Sequence, residues 1–373
     1  MIRPVLIAGT RPNFVKVAPL LRALREAGVD PHLVHTGQHY DWAMSESLFH
    51  DLGIPEPDAN LGVGSGTHAA QTARVMTAFD EWLDDHPVDQ VVVLGDVNST
   101  LACSLVATKR GIDVAHVEAG LRSFDRTMPE EINRIVVDSL ATWLFTPSAD
   151  GNVNLAAEGV DPSRIHLVGN IMVDSLLANL PRALGSDVRV RLSLPGRYGL
   201  VTLHRPALVD NIGRLGQVLD VLEDISAEVP LVFPVHPRTH ARIADLDRPA
   251  GSIRFVDPVG YLDFLNLQAG AAIVLTDSGG IQEETTVLGV PCLTLRENTE
   301  RPITITDGTN TLVGLDPDRI RDAAAKALHG VPRDGRPPLW DGRTSERIAA
   351  LLCAAPAVEW RSAASVQLGE PVA

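Results

Sequence analysis

Short apolar runs alternate with longer stretches whose apolar residues recur three and four positions apart. The runs 4–9 (PVLIAG), 32–36, 90–96 (QVVVLGD), 113–120 (DVAHVEAG) and 165–170 predict a first series of strands. The runs 200–204, 231–236, 271–277 (AAIVLTD) and 290–295 predict a second. Between them, segments such as FVKVAPLLRALREAG (14–28) carry the helical period. Near-continuous Val/Ile/Leu runs separated by helices predict parallel sheets covered on both faces. The alternation happens twice, which predicts an α/β protein of two Rossmann-like doubly wound domains facing across a cleft.

The expected boundaries are residues 1–171 for the first domain and 172–342 for the second. A helix at 343–355 is expected to pack back on the first domain, and a mobile tail is expected at 356–373, where no periodicity remains. Composition agrees with this architecture. Of 373 residues, 45% are hydrophobic and only 4% aromatic, so the core must be aliphatic. The net charge of −15, from 47 acids against 32 bases, argues against nucleic acid or an anionic membrane as partner. Cys103, Cys292 and Cys353 have neither disulfide-framework nor zinc spacing, and no run has membrane-spanning length or the form of a leader. A cytoplasmic protein with reduced thiols is expected.

In doubly wound sheets ligands bind beyond the carboxyl ends of the strands, so the residues there are the candidates. The segment LTDSGGIQEETTVLGVP (275–291) ends a strand and starts a helix. Ser278, Gly279 and Gly280 make a turn that a diphosphate can approach closely, at a helix N-terminus rich in free N–H groups. Glu284, one turn on, can accept both hydroxyls of a ribose. Helix capping is the competing explanation. Ser278 as N-cap asks for Glu or Gln at 281, where Ile281 stands, and Gly280 as cap accounts for Glu283 but not Glu284.

At IAGTRPNFVK (7–16), Arg11 and Lys16 bracket the first turns of a helix, where the dipole disfavours cations unless an anion binds. The stretch is not a dinucleotide fingerprint, and the glycine run GVGSGTH (62–68) reads as a loop that follows no strand. Asp96 and Glu118 each follow a strand directly, with an Asp N-cap as the plain alternative for the first. MPEEINR (128–134) adds Glu130, Glu131 and Arg134, ordinary acids at a helix start in the plain reading. His204 and His236 end two strands of the second series. No three of these residues have metal-ligand spacing, so no metal is expected.

Taken together, GTRPNFVK, TGQH, GDVNSTLA, HVEAGLRS, PEEINR, GN with Asp174, TLHRP, PVHPR, LTDSGGIQEE, TERP and GTNTLVG resemble the non-hydrolysing UDP-N-acetylglucosamine 2-epimerase family, in consistent order over roughly residues 2–353. The resemblance implies a fold of the glycosyltransferase-B type with UDP-GlcNAc and UDP as ligands. It implies Ser278, Gly279 and Gly280 at the diphosphate, Glu284 at the ribose, Arg11 on the phosphate side, Phe264 near the uracil and Arg301 as a further binding residue. It maps the catalytic group onto Asp96, Glu118, Glu130 and His204, calls for no cofactor, and implies a homodimer. The implied chemistry is expulsion of UDP to give a 2-acetamidoglucal, then re-addition with C2 inverted. The C2 proton of a sugar is not acidic until C1 gains oxocarbenium character.

The chain departs from the family's pattern at Ala207 and Leu208, which replace polar residues after Pro206, and at Ile303, which replaces a glutamate. Gln38 is present, but Asp41 stands where members activated by a second substrate molecule carry another glutamine, so substrate activation is expected to be weak or absent. A glycosyltransferase of the same fold, a hydrolysing epimerase releasing ManNAc, and a non-catalytic UDP-sugar sensor are the competing functions. The sequence does not choose the pathway served.

Overall fold

A computed structural model describes residues 2–37, 49, 51–246, 251–330 and 335–354. Two parallel sheets organise the chain. The first holds β1 (Pro4–Ala8), β2 (His32–His35), β3 (Ala59–Asn60), β4 (Gln90–Leu94), β5 (Asp113–Val117), β6 (Trp143–Thr146) and β7 (Ile165–Leu167), in the order β3-β2-β1-β4-β5-β6-β7. The second holds β8 (Gly199–Thr202), β9 (Leu231–Pro234), β10 (Arg254–Val256), β11 (Ile273–Thr276), β12 (Cys292–Thr294) and β13 (Asn310–Leu312), in the order β10-β9-β8-β11-β12-β13. Both run outward from the first strand and then reverse, so each has a switch point, between β1 and β4 and between β8 and β11.

The central strands read as their burial demands. All five side chains of β1, β4 and β5 are buried, because helices cover both faces and leave no solvent side for polar alternation. Strands β3, β6, β10 and β13 are absent from the sequence reading. Three of them are edge strands of two or three residues, too short for a pattern, and β6 follows the helix Pro129–Leu140 after only two residues. The glycine run 62–68 does follow a strand, the two-residue β3. It remains a structural loop: Arg74 donates from Nε to the Val63 carbonyl (3.0 Å) and from Nη2 to that of Ser65 (3.0 Å).

The helix Ile171–Leu184 leads from the first sheet to the second. Asp174 sits in its first turn and accepts from the backbone N–H groups of Thr344 (3.1 Å) and Ser345 (2.7 Å), starting the last helix, Thr344–Ala354. Ile348, Ala349 and Leu352 of that helix join Phe14, Leu20 and Leu24 in the core beside the first sheet. Residues 355–373, with the expected tail, and the segment holding Gln38 and Asp41 lie outside the described residues. Among the described residues no helix is long and apolar enough to cross a membrane.

Candidate active site

On the first sheet the switch point gathers the predicted acids. After β1, Asn13 accepts from the Thr10 N–H (3.0 Å) and donates to the Leu94 carbonyl at the end of β4 (2.8 Å), tying the two rims together. One helical turn on, Lys16 Nζ meets Glu118 Oε2 at 2.5 Å, and both side chains are buried. Gly95 makes room for that pair. It has φ +70°, and a Cβ there would stand 2.9 Å from Lys16 Nζ. Glu118 itself is held at φ +73°, a left-handed conformation rare outside glycine, and its Oε1 is buried with no partner among the described residues.

Asp96 is not a helix cap. Val97 occupies that position for the helix Asn98–Lys109, and Asp96 pairs with Arg134 Nη1 instead. Arg134 is set by Glu131, whose Oε2 accepts from Nη2 (2.7 Å) and Nε (3.0 Å). Glu131 also accepts the backbone N–H groups of Ser123 (3.0 Å) and Phe124 (2.9 Å), so it fixes the loop beyond β5. Glu130 is half-buried and makes no side-chain hydrogen bond or ion pair among the described residues.

The second sheet supplies the cations and the open turn. After β8, His204 Nδ1 lies 2.9 Å from Asp277 Oδ1, and the His204 side chain is 52% exposed. Burial opposes ionisation of Asp277, but His204 and the backbone N–H groups of His204 and Arg205 outweigh it and hold the carboxyl below its ordinary range. Ser278 is the N-cap of the helix Gly279–Leu288, yet its side chain makes no cap bond, so the first-turn N–H groups are not spent on it. The two glycines differ. A Cβ on Gly279 would collide with the Arg301 guanidinium and with Glu300 Oε1 (2.9 Å), so this glycine admits a protein side chain. A Cβ on Gly280 would meet only Met172 Cε at 3.7 Å, so no packing requires glycine there.

Arg205, Arg296 and Arg301 converge on buried Glu300, at 3.5, 2.9 and 2.6 Å. The three guanidiniums overcome burial and hold that carboxyl far below its usual value. Glu284 is also buried. It accepts from Gln268 Nε2 (2.6 Å), and burial pushes it up to about 7. Phe264 lies one turn before Gln268 on the helix Tyr261–Ala269 and packs half-buried against the core there. His236 is the N-cap of the helix Pro237–Ala244, its Nδ1 accepting from the Arg238 N–H at 3.3 Å.

The lobes meet at Glu283 and Arg301. Glu283 Oε1 accepts from Asn170 Nδ2 of the first lobe (2.8 Å) and pairs with Arg301 Nε (2.8 Å). Burial, reinforced by nearby Glu118, moves the Glu283 carboxyl upward against the pull of Arg301 and Lys16. Arg301 in turn is stabilised as a cation by Glu283, Glu300, Glu118 and Asp96. One buried guanidinium thus stands beside the Ser278–Gly280 turn and within the field of both first-lobe carboxylates. The arrangement offers carboxylates for proton transfer and for steadying positive charge, with cations and free N–H groups for a departing diphosphate.

The structure therefore brings together Lys16, Asp96, Glu118, Arg134, Gly279 and Arg301, with His204, Ser278 and Gly280 on the adjoining rim. The Arg11 side chain lies outside the described residues, although its backbone opens the helix Arg11–Glu26. Leu208 does not line the cleft; it is buried in the second core, and Ile303 packs half-buried against another apolar cluster. Sequence reasoning assigned no role to Asp277 or Glu300 and treated Glu283 as a possible cap. Their roles come from tertiary partners, and the only advance signal is an acid next to a named motif residue. Two cavities, about 390 Å³ beside Thr311 and Lys326 and about 490 Å³ beside Trp143 and Arg164, contain none of these residues.

A family model described as UDP-N-acetylglucosamine 2-epimerase matches residues 22–353. The UDP-N-acetylglucosamine 2-epimerase of Methanocaldococcus jannaschii is 42% identical over 358 residues, covering 93% of this chain and 98% of that protein. A crystal structure of the M. jannaschii UDP-GlcNAc 2-epimerase in complex with UDP-GlcNAc and UDP superimposes with a TM-score of 0.89, over 95% of this chain and all of that one. The Pseudomonas aeruginosa UDP-2,3-diacetamido-2,3-dideoxy-D-glucuronate 2-epimerase is 39% identical over 350 residues, covering 93% of this chain and 98% of that protein.

Proposed function

The chain belongs to the UDP-N-acetylglucosamine 2-epimerase family, and from that premise we propose that it reversibly epimerises UDP-GlcNAc at C2 to UDP-ManNAc. The observation that carries the reading is the buried Arg301, which joins the Ser278–Gly280 turn to the field of Asp96 and Glu118.

In this reading UDP sits on the second lobe. Its diphosphate meets Ser278, Gly280 and the N–H groups of the helix behind them, with Arg11 and Arg301 as the cationic side and His204 beside them. Glu284 takes the ribose hydroxyls, and Phe264 lies toward the uracil. The hexose reaches Asp96, Glu118 and Glu130. As the C1–O bond breaks, its electron pair leaves with UDP, and a carboxylate removes the C2 proton to give the 2-acetamidoglucal. An acid on the opposite face then returns a proton to C2, and UDP adds back at C1. Carboxylates also steady the cationic character at C1, and the guanidiniums take the charge gained by UDP. Atoms and electrons balance with no redox partner.

The route ends in nucleotide sugar if the glucal is recaptured and in free ManNAc plus UDP if water intervenes. Proton NMR of a reaction started from UDP-GlcNAc separates these outcomes; UDP-ManNAc at equilibrium with substrate is expected, and accumulation of free ManNAc would convert the reading to a hydrolysing epimerase. The similarity to the P. aeruginosa enzyme supports a second reading, a UDP-2,3-diacetamido uronate as substrate. It takes precedence if that sugar is turned over with a kcat/KM tenfold above that of UDP-GlcNAc.

A further inference from the structure

His116 begins the HVEAG segment, but the reaction above gives its side chain no task. It is wholly buried. Its Nε2 lies 2.9 Å from the Gly95 carbonyl and its Nδ1 2.6 Å from Asp138 Oδ1. A carbonyl only accepts, so Nε2 carries a hydrogen. Asp138 accepts elsewhere too: its Oδ2 receives the Gly120 N–H at 3.0 Å and Arg122 Nη2 at 2.7 Å. Burial opposes ionisation of Asp138, but His116 and Arg122 outweigh it and hold that carboxyl below its ordinary range.

The partners of this network are the two loops that carry the candidate acids. Gly95 precedes Asp96. It donates its own N–H to the Val117 carbonyl (3.0 Å), and its carbonyl goes to His116. Gly120 lies two residues after Glu118 and is held through its N–H by Asp138. Among the described residues no other donor reaches the buried Gly95 carbonyl or Asp138 Oδ1. The charges that face the ring are Asp138 from the helix Pro129–Leu140 and, through Asp138, Arg122, which is paired in turn with Glu158 at 2.7 Å. Lys16 and Glu118 lie next to Gly95, where an added Cβ would meet them.

We propose that His116 is a positioning residue: with Asp138 it fixes the Asp96 loop and the Glu118 loop relative to each other beneath the cleft. The proposal rests on the reading of Asp96 and Glu118 as the acids acting on the sugar. It places a hydrogen-bonded support under the site that never touches substrate.

The test has two arms. In ¹⁵N-histidine-labelled wild-type protein at pH 7.5, His116 Nε2 is expected to carry a slowly exchanging hydrogen donated to the Gly95 carbonyl; a ring with no hydrogen on Nε2 overturns the proposal. In His116→Gln, kcat for UDP-GlcNAc is expected to fall at least tenfold while KM and UDP affinity stay within threefold, because the UDP lobe is untouched. An unchanged kcat, or losses in kcat and KM together, overturns the positioning role. Asp138→Asn is the second variant and should reproduce the kcat loss with KM and UDP affinity again within threefold. If the wild type turns over no UDP-sugar while the Nε2 hydrogen of His116 is present, the reading of the site has failed and not the hydrogen-bonded network.

Discussion

Glu118 adopts φ +73° with its carboxylate buried against Lys16. Such a conformation costs a non-glycine residue roughly 1–3 kcal/mol, and the fold maintains it where β5 gives onto the cleft. General acid–base groups typically contribute about a hundredfold to ten-thousandfold in rate. Asp96→Asn and Glu118→Gln are therefore each expected to lower kcat at least about a hundredfold while leaving thermal unfolding within a few degrees. A turnover assay paired with calorimetry checks this; Asp96→Asn with wild-type turnover would remove Asp96 from the mechanism. The two glycines of the opening turn give a sharper contrast. Gly279→Ala drives a Cβ into Arg301 and should lower stability, whereas Gly280→Ala has room, should leave Tm unchanged or raised, and should weaken UDP binding at least tenfold. The sequence marks Asp96 and Glu118 because each directly follows an apolar strand. It gives no role to Asp277 or Glu300 and only a capping role to Glu283, because their partners include side chains from distant segments that follow no local spacing.

The helix Gly279–Leu288 carries the next level of organisation, since its second turn places Glu283 toward the first lobe and Glu284 toward Gln268. Glu284 is raised from 4.5 to about 7 by burial. Between these values the folded protein binds more protons than the unfolded chain, so this group makes stability fall as pH rises from about 4.5 to about 7. Glu284→Gln is expected to flatten that part of the stability–pH curve and to raise stability at pH 8 by up to about 3 kcal/mol, the equivalent of the shift. The same change should raise KM for UDP-GlcNAc, because the amide presents one acceptor oxygen and an N–H donor where the carboxylate presents two acceptor oxygens to the ribose hydroxyls. Urea titrations across pH and initial-rate kinetics measure the two effects; an unaltered pH slope would contradict the account of Glu284. The strands at both switch points were legible as elements because burial on both faces leaves an apolar run. The short edge strands and the inward turn of Leu208 were not, since neither a three-residue strand nor the facing of a one-turn helix leaves a pattern in sequence.

At the scale of the whole molecule, two sheets of the same winding order place their switch points on one cluster, and Arg301 and Glu283 join them. The repeated alternation of strand and helix made this arrangement readable, while the contact between lobes depends on side chains that only the folded chain brings together. Cooperative substrate activation is a property of this scale. With Asp41 where activated members carry glutamine, the rate against UDP-GlcNAc concentration is expected to be hyperbolic, and a clearly sigmoidal curve would refute this. The central claim is that UDP leaves and the C2 proton is exchanged. UDP-GlcNAc incubated with the protein in deuterium oxide should acquire deuterium at C2 in both epimers as UDP-ManNAc forms; UDP-ManNAc formed with protium retained at C2, or no UDP-ManNAc at all, would contradict it.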